Sequence, residues 1–325
     1  MPKKIVDTGG RPLLDLASYA RRGPGRRDHL SPAEVELIQR TVSRTPEVVV
    51  KVLTRGANTM KAVRAHLTYL NRGGDLDIET DEGERLAGKA VAKRLLEDWD
   101  LDIEEYRRRT DLRPSRGWAV PRLVHKILFS MPPGTPPKKV LEAVKNFARE
   151  EFALQHRYAM VLHTDEPHPH VHLVVKAVSE QGVRLNIRKD TLRRWRAGFA
   201  SHLRRLGVAA NATERAVRGE NRAPLRDAIY RAGQRGESRV LNGRSLTDAG
   251  GPQRKDDMEV RRATRELVRQ GWFGAGELLR ESGRAELAAQ VDAFAMRMPP
   301  VRDAFFIDEL VQRRVVRSAV LPLTR

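Results

Sequence analysis

Apolar positions along the chain fall into two rhythms, one of period two and one of about 3.6 residues. Runs rich in β-branched residues predict strands at EVVVKVL (47–53), RLVHKILFS (122–130), YAMVLH (158–163) and HVHLVVKAV (170–178). A shorter run, RLNI (184–187), follows the tight turn SEQG. Between the strands the spacing turns helical. Met60, Val63, Leu67 and Leu70 predict a helix from about Thr59 that stops at Asn71-Arg72-Gly73-Gly74. An acidic segment (DLDIETDEGE, 75–84) leads to a second helix through AVAKRLLEDW, and a basic loop is expected over 107–117. Thr135 and Pro136 open a helix with the stripe Val140, Leu141, Val144, Phe147, Ala148 and Phe152. Asp190 is expected to cap another, with Leu192, Trp195, Phe199, Leu203 and Leu206 on one side. Helices thus interrupt an antiparallel-type set of strands, which is the α+β class.

Outside this stretch the pattern changes. Residues 1–45 read as a basic arm containing RRGPGRR, with a short helix opened by Ser31 and Pro32. Residues 213–325 read as a basic, mainly helical region (MEVRRATRELVRQG, GAGELLRESG, RAELAAQVDAFAM). The expected organisation is therefore an arm at 1–45, a central domain at 46–212 and a C-terminal region at 213–325.

Charge narrows the partner. Sixty-one Lys and Arg face 42 Asp and Glu, a formal net charge of +19, and most of the basic residues are arginine. Such a surplus attracts polyanions, and the planar guanidinium fork suits phosphate oxygens. The absence of cysteine excludes disulfides, thiolate zinc sites and thiol catalysis. No signal-like leader and no uninterrupted apolar run of about 18 residues is present, so the expectation is a soluble, cytoplasmic protein.

Four of the nine histidines lie in His163-Thr-Asp-Glu-Pro-His168-Pro-His170-Val-His172. His170 and His172, two apart on a strand, share a face. Residues 164–169, with Pro167 and Pro169, form a hairpin connection that brings His163 beside His170. Three imidazoles then converge with coordination positions left open, as a catalytic metal site requires. Asp165 is placed to orient a ligand or base. His168, in the loop, is the weaker ligand candidate. Of five tyrosines, Tyr69 sits on the last turn of the first core helix and shares a face with Ala62, Ala65 and His66, where its phenol can face solvent and reach a neighbouring sheet. A phenolate attacks phosphodiesters, but a phenol with its ordinary pKa of about 10 needs activation.

Together these segments resemble the relaxases of the HUH endonuclease superfamily, in the branch of plasmid mobilisation relaxases that includes the T-DNA border-nicking protein. AHLTYLNRGG resembles the motif of the catalytic tyrosine and implies Tyr69 as nucleophile. VHKILFSMPPGTP resembles the second motif and implies a DNA contact for Ser130. YAMVLHTDEPHPHVHLVVKA resembles the third, implying His163, His170 and His172 as metal ligands and Asp165 as the activating acid; His168 also matches. RRWRAGFASHLRRLGVAANATERAVRGENR resembles the helix and basic tail that follow. The pattern departs at Lys176, where an Asn is common. The resemblance covers roughly residues 46–225.

It implies a five-stranded antiparallel sheet with flanking helices. The implied reaction is nicking of one strand at a transfer origin through a 5′-phosphotyrosyl intermediate, for conjugative mobilisation. Three imidazoles favour Mn²⁺ over Mg²⁺, and both are kept as the divalent metal. Phosphate contacts to single-stranded or nicked DNA are expected from Arg72, Arg193, Arg194 and Arg218, with Ser130 and His168. Further expected partners are an accessory DNA-binding protein and a type IV secretion coupling protein, with passage to a recipient cell and QRRVVRSAVLPLTR as a candidate signal. Two other readings stay open: a rolling-circle initiator using Tyr230, and a non-catalytic DNA-binding accessory protein. A zinc hydrolase lacks support, because no Glu stands at metalloprotease spacing.

Overall fold

The protein is represented by a computed structural model that describes residues 14–20, 28–53, 58–111, 121–220 and 255–299. The RRGPGRR segment, Tyr230 and the QRRVVRSAVLPLTR tail lie outside the described residues. The chain divides into two units, one of residues 44–212 and one combining 13–43 with 213–325.

In the first unit, β-branched and aromatic runs form β1 (Val49–Leu53), β4 (Val124–Ser130), β5 (Tyr158–His163) and β6 (His170–Lys176). Two short strands, β2 (Ile78–Thr80) and β3 (Arg85–Leu86), complete a six-stranded sheet in the order β1-β4-β6-β5-β2-β3, antiparallel throughout. The sheet corrects the expectation of five strands. RLNI makes only an isolated bridge, Val178 to Arg184, while the acidic segment supplies β2 and leads into β3. Those outer strands are short and charged: Glu79 pairs with Lys145 at 2.6 Å and lies opposite Arg85. Charge at a sheet edge is a common defence against edge pairing, and it hides strands from a hydrophobic pattern.

The two faces of the sheet carry different helices. On one face Val50, Ile127, Phe129, Met160, Val171, Leu173 and Val175 are buried under α6 (Pro137–Phe152) and α7 (Lys189–Arg205), through Val144, Phe147, Phe152, Trp195, Phe199 and Leu203. On the other, Val124, Ala159, Val161 and Val174 pack with Val63, Leu67 and Leu70 of α3 (Met60–Leu70), Leu95 and Leu96 of α4 (Val91–Asp98), and Leu101 of α5 (Leu101–Asp111). Cover on both faces explains why β4 to β6 read as nearly continuous apolar runs. The helix α5 runs through Asp111, so the start of the expected basic loop is helical. Arg188, not Asp190, occupies the N-cap of α7; Asp190 lies in its first turn, where a carboxylate meets the positive end of the helix.

Helix α3 begins at Thr59, whose Oγ1 accepts from the Ala62 N–H at 3.2 Å. It ends at Asn71, and a 3-10 turn (Arg72–Gly74) folds the chain back. The Asn71 amide donates to the Gly88 carbonyl at 3.1 Å, holding this turn against the chain before α4. Gly74 has φ +119°, and a Cβ there would stand 3.0 Å from backbone atoms of Gly88 and Lys89. Gly74→Ala is therefore expected to cost about 1–3 kcal/mol. Gly73→Ala, at φ +72° with nothing within 4 Å, should cost less, because only the backbone conformation is strained. Denaturant midpoints of the two variants measure the difference.

In the second unit, part of the expected arm packs into a helical core. The helices α1 (Leu16–Ala20) and α2 (Pro32–Val42) share a core with α8 (Lys255–Glu281) and α9 (Ala285–Met296), made from Leu16, Tyr19, Ile38, Trp272, Leu279 and Val291. As expected, Ser31 caps α2, in a reciprocal box with Glu34. Glu34 also accepts from the buried Tyr19 hydroxyl at 2.8 Å. Gly271 lets α8 approach α1, since a Cβ there would lie 2.2 Å from the Leu16 carbonyl oxygen. Among the described residues no helix is long and apolar enough to cross a membrane.

Candidate active site

The hairpin of β5 and β6 sets His163 directly opposite His170, while Ser130 of β4 faces His170 from the other side. His172, two residues on, shares that face with both, and it is the face covered by α3 and α4. The ring centroids lie 5.2 Å apart for His163 and His170, 4.8 Å for His163 and His172, and 5.3 Å for His170 and His172. One ring nitrogen from each lies within 4.8 Å of the others.

Main-chain carbonyls fix which nitrogens carry the lone pair. His163 Nε2–H donates to the Leu70 carbonyl at 2.8 Å, which leaves the lone pair on Nδ1. His170 Nδ1–H donates to the His168 carbonyl at 3.0 Å, which leaves it on Nε2. Such orientation by outer hydrogen bonds is the usual support of a metal-binding imidazole. Burial lowers the pKa of His163, and it carries His172 down to about 3, with His163 and His170 adding to the effect. Both rings are then neutral at neutral pH, the form that ligates metals. The donor set and its orientation fit a divalent cation with further coordination positions left for oxygen ligands.

Tyr69 projects from the last turn of α3 and is 58% exposed. The Arg72 guanidinium lies over its ring, 5.0 Å from the centroid. Arg72 also forms an ion pair with Asp165 and reaches within 3.4 Å of His163 Nδ1. Hydrogen bonding to Tyr69, then the charge of Asp165, raises the Arg72 pKa. Desolvation works against ionisation of Asp165, but its own backbone N–H and the Arg72 charge prevail and hold the carboxyl below its ordinary value. Asp165 thus offsets a fixed positive charge that would otherwise repel a cation at His163.

The structure therefore gathers Tyr69, Arg72, Asp165, His163, His170, His172 and Ser130 around one end of the sheet. His168 contributes its carbonyl to the cluster, and its side chain is exposed in the connection. Arg193 and Arg194 are on α7, which covers the opposite sheet face, and Arg194 pairs with Glu151 at 2.8 Å. Arg218 belongs to the other unit, bonded to Thr213 and Glu220. Sequence reasoning gave no role to His66, one turn before Tyr69. Its ring stacks on Tyr69 with centroids 6.5 Å apart and stands edge-on to His172 at 6.3 Å. Burial, then the charge of Lys126, lowers its pKa to about 4. The helical spacing of His66 and Tyr69 was the available signal.

Residues 77–207 match the family described as Relaxase: MobA/VirD2-like, nuclease domain. The matched segment contains Ser130, Asp165 and the three histidines and begins after Tyr69. Two curated proteins, both named T-DNA border endonuclease VirD2, are similar to the chain. The one from Rhizobium radiobacter is 25% identical over 213 residues, 60% of this chain and 48% of that protein. The one from Agrobacterium fabrum is 25% identical over 222 residues, 60% of this chain and 46% of that protein. The chain thus spans about half the length of the curated relatives it matches.

Proposed function

We propose that the chain, whose residues 77–207 match the MobA/VirD2-like relaxase nuclease domain, is a relaxase that nicks one DNA strand at a transfer origin by tyrosine transesterification. The Tyr69 oxygen attacks the scissile phosphorus and loses its proton. A bond forms from that oxygen to phosphorus, the bond from phosphorus to O3′ breaks, and the departing O3′ takes up a proton. The products are a 5′-phosphotyrosyl link and a free 3′-OH, and the reverse step reseals the strand.

His163 through Nδ1, His170 through Nε2 and His172 would hold a Mn²⁺ or Mg²⁺ ion. When bound, that ion supplies Lewis-acid charge for the non-bridging phosphate oxygens. Arg72, braced by Asp165, meets negative charge on the phosphate and on the attacking oxygen. Ser130, paired with His170 across the strands, would supply a further phosphate contact. Arg193, Arg194 and Arg218 would contact phosphates away from the scissile one, along with the exposed His168. An accessory DNA-binding protein, a secretion coupling protein, and cytoplasmic action followed by export with the DNA belong to the same reading.

The observation that carries the proposal is the 2.8 Å bond from His163 Nε2 to the carbonyl of Leu70, the residue after Tyr69. It fastens the helix end that bears the phenol to the imidazole cluster. Incubating the protein with supercoiled plasmid carrying its own upstream intergenic DNA, with Mn²⁺ or Mg²⁺, should give strand-specific nicks with protein on the 5′ end. Sequence-specific binding without cleavage under either ion would favour an accessory protein instead.

A further inference from the structure

The proposed chemistry leaves one buried nitrogen at this site unused. His66 Nε2 is shielded from solvent and has no hydrogen-bond partner. Buried polar atoms are nearly always satisfied, so an unmatched one at a reactive site marks a place that a ligand completes. The rings flanking His66 are those of Tyr69 and His172. Under the relaxase reading, on which this inference rests, the scissile phosphodiester enters between those two side chains. The buried Lys126 acts on His66 electrostatically, so the surroundings are already positive. His66 does not complete the imidazole cluster, whose three nitrogens come from His163, His170 and His172.

We propose that His66 is a phosphate-contacting residue, whose Nε2–H donates a hydrogen bond to a non-bridging oxygen of the phosphodiester bound between Tyr69 and the imidazole cluster. The contact requires no proton transfer, only the tautomer with hydrogen on Nε2. It adds to α3 a second substrate group one turn from the nucleophile, so that one helix both aims the attack and holds its target.

The test uses the full chain carrying Tyr69→Phe, so that binding is read without cleavage, and a single-stranded oligonucleotide containing the mapped nick site. Adding His66→Ala should weaken binding in EDTA by about 10-fold or more, the loss expected for a hydrogen bond to a charged group. His66→Gln, which keeps a donor, should recover part of the loss. Mn²⁺ affinity, measured by calorimetry, should be unchanged in both. A methylphosphonate at the contacted phosphate should cost the parent more affinity than it costs the His66→Ala protein, since part of its effect is loss of the same bond. Equal oligonucleotide affinity in all three proteins overturns the proposal, as does weaker Mn²⁺ binding by the His66→Ala protein in calorimetry. If the wild-type chain makes no nick at all, the relaxase reading fails; normal wild-type nicking with an inert His66→Ala change sinks this inference alone.

Discussion

Tyr69→Phe should abolish the covalent DNA adduct and reduce strand cleavage by about 10⁴-fold or more, the scale seen when a nucleophile is removed from a preorganised site. The change deletes one oxygen and keeps the ring. Tyr69 is 58% exposed, so the fold should be unaffected, with a stability change within about 0.5 kcal/mol. The hydrogen bond between Arg72 and the phenol is lost, but Arg72 keeps its stacking on the ring and its ion pair with Asp165. DNA affinity and Mn²⁺ affinity should therefore stay near the parent values while chemistry stops. Denaturing gels of labelled DNA after incubation show the adduct directly. Persistence of the adduct in Tyr69→Phe, with its loss in Tyr230→Phe, would transfer the nucleophile to the downstream tyrosine and recast the protein as a rolling-circle initiator.

Loss of His172 should be nearly as severe. His172→Ala removes one of three nitrogens, and even changes in groups that merely orient ligands weaken metal sites by about 10–100-fold. Mn²⁺ affinity should fall by at least about 100-fold, and nicking should require much more metal. The same variant should alter acid sensitivity. Unfolded imidazoles titrate at the ordinary 6.5, whereas burial holds folded His172 at about 3 and His66 at about 4. As pH falls below 6.5 the unfolded chain takes up protons first, so the metal-free protein loses stability from there downward. Stability is fully present above that value. Removing His172 should make the acid-side decline shallower, which thermal melts of metal-free protein between neutral and mildly acidic pH would show. An unchanged Mn²⁺ affinity would remove His172 from the ligand set.

Much of this site was legible because its parts sit on regular elements. The alternation His170-Val171-His172 fixes two imidazoles on one face wherever that strand lies, and a short proline-bearing connection brings His163 alongside. The helical spacing of Met60, Val63, Leu67 and Leu70 placed Tyr69 off the buried stripe. What stayed hidden depends on long-range partners. β2 and β3 are three and two residues of mostly charged or polar sequence; β2 pairs only because β5 is there to receive it, and β3 only through β2. Leu16 and Tyr19 look like scattered apolar residues in a basic arm until Trp272 and Leu279, more than two hundred positions later, close over them. Arg72 reads as one more phosphate-binding arginine, yet it is paired with Asp165, which comes from the β5–β6 connection more than ninety residues later. Composition cannot announce such a pairing, because surface ion pairs of this kind are common and mostly carry little energy.

The brace between His163 and residue 70 has a further consequence, because its acceptor is a peptide oxygen. Every amino acid supplies that oxygen, so no exchange at position 70 deletes it; leucine there can be judged only by how well it seats the helix. Mutational scanning will therefore pass over the tie that holds Tyr69 in register with the imidazole cluster. It will surface only when the backbone itself shifts, as a simultaneous drift in metal preference and cleavage rate caused by changes that touch neither group.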